Sequence, residues 1–283
     1  MVEQLTEAVA QHGEGPVWDE RTKRLLWVDL LKGDLLWIAE GEASAVRTHI
    51  ADVLACVSPR ERGGMVAAAE RGFVLIGEDL EVTEMPELWS DTSVRMNDGA
   101  CSPDGRFFVG SMAYDESPGA GALYRLDPDG DVTVIFEAVS ISNGLGWTTD
   151  GTAAYYVDSG TASIAKMRYV SATGTFGERR TLVEIDPALG MPDGLCVDED
   201  DALWVALWGG GAVHRYLTDG RLDAVIDLPV THPTSCCFGG AMLDTLFIAT
   251  SSLPAETHGQ RGAGALFSLA PGVSGLPVPR FQG

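Results

Sequence analysis

The sequence predicts an all-β fold, a six-bladed β-propeller with four-stranded antiparallel blades, formed as one domain over residues 1–283. Three observations predict it. A polar, oxygen-bearing residue recurs eight positions before the end of a turn: Asn97 before Gly105, Asn143 before Gly151, Asp193 before Asp201. Similar units start near residues 14, 57, 97, 143, 193 and 235, a spacing of 40–50 residues. Each unit holds about four short apolar runs parted by Gly, Pro or Asp turns, which is the pattern of a propeller blade. A β-sandwich would not return the polar residue to the same place in every unit.

The elements follow in order. Unit one runs from Gly13-Glu14-Gly15-Pro16-Val17-Trp18 through a charged turn to Leu25–Asp29 and Leu35–Ile38. Unit two is weaker, with Cys56–Pro59, Gly64–Ala68 and Gly72–Ile76. Unit three starts at Arg95-Met96-Asn97 and continues through Phe107–Val109, Ala122–Leu126 and Val132–Phe136. Unit four starts at Ser142-Asn143 and ends near Thr181–Ile185. Unit five is the clearest: Met191-Pro192-Asp193-Gly194-Leu195, an acidic turn, Leu203–Trp208, Val213–Tyr216 and Leu222–Leu228. Unit six offers Pro233–Cys236, Thr245–Thr250 and Ala265–Leu269. Helical periodicity is absent, and Pro187-Ala188-Leu189 has room for a single turn.

Composition narrows the function classes. A chain of 283 residues with 45% hydrophobic content can bury a large core. Its formal charge of −22 argues against a nucleic-acid partner and against an anionic membrane surface. The start of the chain is acidic and lacks a long apolar core, so no signal peptide is read there. No run approaches the ~18 apolar residues of a membrane span. Five cysteines without a CxxC fit buried free thiols in a reducing compartment, so a cytoplasmic location is expected.

Rotation about a propeller axis brings equivalent residues of successive blades to one channel. Glu14, Asn97, Asn143 and Asp193 share a phase, so they are expected to converge there although they are far apart in sequence. At these residues the chain resembles the family of senescence marker protein 30 (regucalcin), gluconolactonase and luciferin-regenerating enzyme. The resemblance spans nearly the whole chain. It rests on Gly13–Trp18, on Arg95-Met96-Asn97-Asp98-Gly99 with Gly110-Ser111-Met112, on Ser142-Asn143-Gly144-Leu145 and on Pro192-Asp193-Gly194-Leu195. It implies one divalent cation in the channel and hydrolysis of a sugar lactone. By motif match Glu14, Asn143 and Asp193 would be the metal ligands. Arg95 and Asn97 would hold the substrate, with Asp115 as an acid that touches the sugar. Tyr114 departs from the small or acidic residue that the family pattern would place beside it.

The chemistry of that set is coherent. Two carboxylates and an amide carbonyl suit a hard cation, so Ca²⁺ is the first expectation; Mg²⁺, Mn²⁺, Zn²⁺ and Fe²⁺ are also compatible. The cation would polarise the lactone carbonyl and acidify water, with Asp193 as candidate base. Two readings from other classes stand beside it: an organophosphate-type phosphotriesterase, and a non-catalytic cation-binding regulatory propeller. Oligomeric state is not readable from the sequence.

The remaining signals are bland. Asp127-Pro128-Asp129-Gly130-Asp131 reads as a hairpin turn, not a calcium loop. The five histidines show no HExxH, and no G-x-S-x-G is present. By phase His12 and His232 fall near the channel mouth, although ordinary loop positions are their default. Trp18, Trp27, Trp147 and Trp204 read as blade core, and Cys56, Cys101 and Cys196 as packing residues.

Overall fold

The computed structural model describes residues 1–42, 44–254 and 257–283. Six antiparallel sheets form six blades around one axis. Blade one is β2 (Gly13–Asp19), β3 (Arg24–Asp29), β4 (Asp34–Ala39) and β5 (Val46–His49). Blade two is β6 (Leu54–Pro59), β7 (Met65–Ala69), β8 (Phe73–Ile76) and β9 (Val82–Glu84). Blade three is β10 (Val94–Cys101), β11 (Phe107–Ala113), β12 (Gly121–Leu126) and β13 (Val132–Val139). Blade four is β14 (Ser142–Trp147), β15 (Ala153–Asp158) and β16 (Ser163–Val170), and two short strands share its outer edge. These are β17 (Thr175–Phe176) and β18 (Arg180–Glu184), both paired with β16. Blade five is β19 (Met191–Val197), β20 (Leu203–Trp208), β21 (Ala212–Tyr216) and β22 (Leu222–Asp227).

Blade six is built from both ends of the chain. β23 (Pro233–Gly239), β24 (Thr245–Thr250) and β25 (Phe267–Leu269) come from the C-terminal part. Its outermost strand is β1 (Glu3–Gln4), which pairs with Phe267 and Ser268 and closes the ring. No sequence pattern marks this strand, since two exposed polar residues carry no period. Pro187–Leu189 forms the single 3₁₀ turn expected of it. Among the described residues no helix is long and apolar enough to cross a membrane.

The apolar core is divided. Six clusters of buried side chains each fill the gap between two adjacent blades, such as Trp204 against Phe238 between blades five and six. Trp27, Trp204 and the other tryptophans read as core are buried there. Burying a side chain of that kind contributes roughly 1.5–3 kcal/mol. Because the apolar mass lies between blades, the axis itself is free to carry polar groups.

Each innermost strand packs against those of both neighbouring blades, and each bulges where it meets the channel. In β14 the register skips between Ser142 and Leu145, leaving Asn143 and Gly144 out of the ladder. In β19 it skips between Pro192 and Leu195 around Asp193 and Gly194. A bulge re-aims the side chain it displaces. Two glycines permit the close approach. A Cβ on Gly144 would meet Leu195 N at 2.7 Å, and one on Gly194 would meet Ser235 Oγ at 2.2 Å.

Further along the same inner strands the channel widens to about 320 Å³, walled by Val17, Ala100, Trp147, Val197 and Phe238. The C-terminal tail crosses this lower end. It bridges Gly275 to Asp198 of blade five, pairs Arg280 with Asp19 at 2.6 Å, and bonds Gln282 N to Gly105 O at 3.0 Å. All five cysteines are free; Cys196 and Cys236 line this lower cavity, with sulfurs 3.6 Å apart.

Candidate metal centre at the channel mouth

At the other end of the inner strands, a cavity of about 110 Å³ opens at the mouth of the channel. Glu14 of blade one, Asn97 of blade three, Asn143 of blade four and Asp193 of blade five all line it, as does Arg95. The side chains separated by up to 179 positions thus share one space, each about 95% buried.

A hydrogen-bonded chain links most of them. Arg95 Nη1 donates to Asn97 Oδ1 at 2.6 Å. Asn97 Nδ2 donates to Asn143 Oδ1 and to Ser142 O, both at 2.8 Å. Asn143 Nδ2 donates to Ser159 Oγ at 2.8 Å, and Ser159 Oγ donates to Pro192 O at 2.5 Å, one residue before Asp193. Asn97 therefore spends both amide hydrogens on blade four and keeps only oxygen lone-pair capacity for a substrate. Asn143 Oδ1 retains a second lone pair for a cation.

The acids are held in an unusual state. Burial, with Asp98 nearby, raises the Glu14 carboxyl from 4.5 to about 8. Burial, then the charges of Glu14 and Asp98, holds Asp193 well above the ordinary carboxylate range. Asp98 itself is pushed by burial from 3.8 to about 6. Its carboxylate accepts from Gly99 N at 2.8 Å. Three acids converge, and the cation near them is Arg95, whose own pKa burial lowers. His12 Nε2 lies 3.9 Å from Glu14 Oε1, but burial and Arg95 push the imidazole down to about 3, so it is neutral. Among the described residues no group of three or more His, Cys, Asp or Glu gathers as a metal cage. The set at the mouth is instead two carboxylates with an amide, and its excess buried negative charge fits a hard divalent cation.

Not every expected residue arrives. Asp115 is outside the cavity lining; it sits exposed after β11, where its carboxylate accepts from Ser117 N at 3.0 Å. Glu116, one residue on and at φ 59°, lines the cavity in its stead. Tyr114 stacks under the Arg95 guanidinium at 5.6 Å and donates to Glu70 Oε1 at 2.6 Å. His12 lines the cavity, and His232 packs at 4.6 Å against Trp208, which also lines it. Asp98, Ser159, Glu116 and Trp208 were not singled out from sequence. Only Asp98 carried a signal, being an acid at the phase where blades one, four and five have Gly15, Gly144 and Gly194.

The comparisons with known proteins agree with this architecture. The family model described as SMP-30/gluconolactonase/LRE-like region matches residues 12–252. Regucalcin of Danio rerio is 35% identical over 280 residues, covering 96% of this chain and 95% of that protein. The solved luciferin-regenerating enzyme superposes with a TM-score of 0.92 at 25% identity, covering 100% of this chain and 99% of its own. The calcium-binding regucalcin of Agrobacterium tumefaciens superposes at 0.91 with 26% identity, covering 96% of this chain and 94% of its own. On its matched span, its identity to regucalcin and its blade architecture, the chain belongs to the SMP-30/gluconolactonase/LRE-like family.

Proposed function

We propose that the protein is a divalent-metal-dependent hydrolase of sugar lactones. The observation that carries this reading is the pair of buried acids, Glu14 and Asp193, sharing one small cavity with the Asn143 amide, with Asp98 as a third acid nearby and Arg95 as the cation facing them. Relatives in the family are gluconolactonases and calcium-binding regucalcins by name, which supports an ester substrate and a calcium-type ion. Glu14, Asn143 and Asp193 would hold the ion.

When bound, such an ion supplies Lewis acidity to an ester carbonyl and lowers the pKa of water. The protein's own residues do the rest. Arg95 Nε is buried and has no hydrogen-bond partner, so it is a donor held ready for a substrate oxygen. Tyr114 beneath the guanidinium and Asn97 beside it fix its plane. Glu116 offers a carboxylate to sugar hydroxyls from the same side. Asp193 takes the proton of the attacking water and returns it to the ring oxygen as the ring opens.

The test is hydrolysis of glucono- and xylonolactone, with a fluorophosphate as a third substrate, by protein stripped with chelator and then reloaded. Lactone turnover that returns with the ion is expected. Asp193→Asn and Glu14→Gln should each lose more than the ~10–100-fold typical of outer partners. Equal turnover by stripped and loaded protein refutes the reading, and cleavage of the fluorophosphate alone replaces it with a phosphotriesterase.

A further inference from the structure

The wall of the mouth is chemically divided, and six-bladed symmetry says how. Blade three stands opposite blade six across the axis. Blade three brings the charged groups: Arg95 with its unpartnered Nε, Glu116, and the Asn97 oxygen. Of the apolar lining, Met112 of blade three is buried and Ile141 before β14 half-buried, whereas blades five and six bring Met191, Trp208 and Leu253, the first and last of them exposed.

These three form a built surface. Met191 and Trp208 are direct cross-strand partners between β19 and β20. The Trp208 ring is fixed edge-on between His12 at 5.6 Å and His232 at 4.6 Å. Leu253 N donates to Ser251 Oγ at 3.1 Å, which holds the residue at the rim. Met191 is 37% exposed and Leu253 38%, values that leave both side chains open to a ligand. A lone exposed apolar residue means little, but three on one side of a polar cavity make a selective wall.

Resting on the lactonase reading, we infer that the mouth selects lactones that are hydroxylated on one edge and aliphatic on the other, the deoxyaldonolactones. With the ester at the channel centre, ring hydroxyls face Arg95 and Glu116. The exocyclic arm then lies against Met191, Trp208 and Leu253, where a methyl group is buried without loss. A hydroxymethyl group there gives up water against the Met191 and Leu253 side chains, which offer it no hydrogen bond. The reaction is unchanged: water adds to the acyl carbon, the acyl–oxygen bond breaks, and the ring oxygen leaves as a hydroxyl.

The probes are D-fucono-δ-lactone and D-galactono-δ-lactone, whose exocyclic arms are a methyl and a hydroxymethyl group and differ by a single oxygen. The ion-loaded wild type should show kcat/KM about 10-fold or more higher for the deoxy lactone. In a Met191→Gln/Leu253→Gln double variant the ratio should collapse toward unity, with the Kd for Ca²⁺ unchanged to show that the fold is intact. Equal rates, or a preference for the galactonolactone, in the wild type overturn the inference. A double variant with intact ion binding and an unchanged ratio overturns the assignment to these residues. If neither lactone is hydrolysed, the lactonase reading falls, and calorimetric binding of the two intact lactones decides selectivity separately: tighter fuconolactone binding supports it, and equal or weaker binding refutes it.

Discussion

Asn143 has two amide hydrogens and a carbonyl to orient, and the neighbouring blades settle the matter. Ser159 takes one hydrogen, and Asn97 donates to the oxygen, so the amide plane is fixed before any ion arrives. Ser159 also grips the carbonyl next to Asp193, which makes it a positioning residue for two of the proposed ligands at once. Ser159→Ala should weaken Ca²⁺ binding by roughly 10–100-fold, read by chelator competition, with Ser159→Thr recovering part of the loss. The acids give a second expectation. Glu14 titrates at 4.5 in an unfolded chain but at about 8 when folded, so across that window the folded state binds more protons. Stability of the metal-free protein must then fall as pH rises through it, and Asp98 adds the same slope from 3.8 to about 6. Calorimetric melting in chelator should drop between about pH 5 and pH 8, and saturating Ca²⁺ should cancel the drop by stabilising the ionised acids. A metal-free melting temperature that climbs over this range would contradict the buried, repelling arrangement. The convergence of Glu14, Asn97, Asn143 and Asp193 was legible because each sits at the same phase of its repeat. That Glu116 and not Asp115 lines the cavity was not legible, because no local pattern announces the left-handed backbone at Glu116.

The inner strand is the element on which the site depends. Its bulge frees one side chain from the ladder, and the glycine after the liberated residue lets the next blade come close. Gly194→Ala drives a Cβ into Ser235 Oγ, so blades five and six must separate where the Asp193 carboxylate sits. A loss of about 1–3 kcal/mol in denaturant unfolding is expected, with weaker Ca²⁺ binding alongside. A second device repeats: the acid closing the second strand accepts the backbone amides that lead into the first. Asp29 takes Gln11 N and His12 N, and Asp158 takes Ser140 N and Ile141 N. These acids were visible in the sequence only as strand ends. Their partners lie 17 or 18 residues away, and that pairing belongs to the blade, not to the segment. The doubled outer edge of blade four was legible only in part. The end read for unit four, Thr181–Ile185, falls on β18, whereas β17 is two residues long and carries no period; both pair with β16.

At the scale of the whole molecule, the ring is closed by two residues, Glu3 and Gln4, lying against Phe267 and Ser268. Removing residues 1–4 should leave β25 as a bare edge, lower the melting temperature and promote association, which light scattering during a thermal ramp would detect. Unchanged melting and a monodisperse sample would mean that the inter-blade clusters hold the ring without that latch. The tail does different work at the far end of the axis. Arg280, Phe281 and Gln282 are fastened to blades one, two and three beneath the lower cavity, on the side away from Glu14 and Asp193. A domain or bead attached after Gly283 would accordingly hang from the underside, leaving the channel mouth open to the bulk. Anything joined there that pulls on the chain would load the strap before it disturbs Glu14, Asn143 or Asp193.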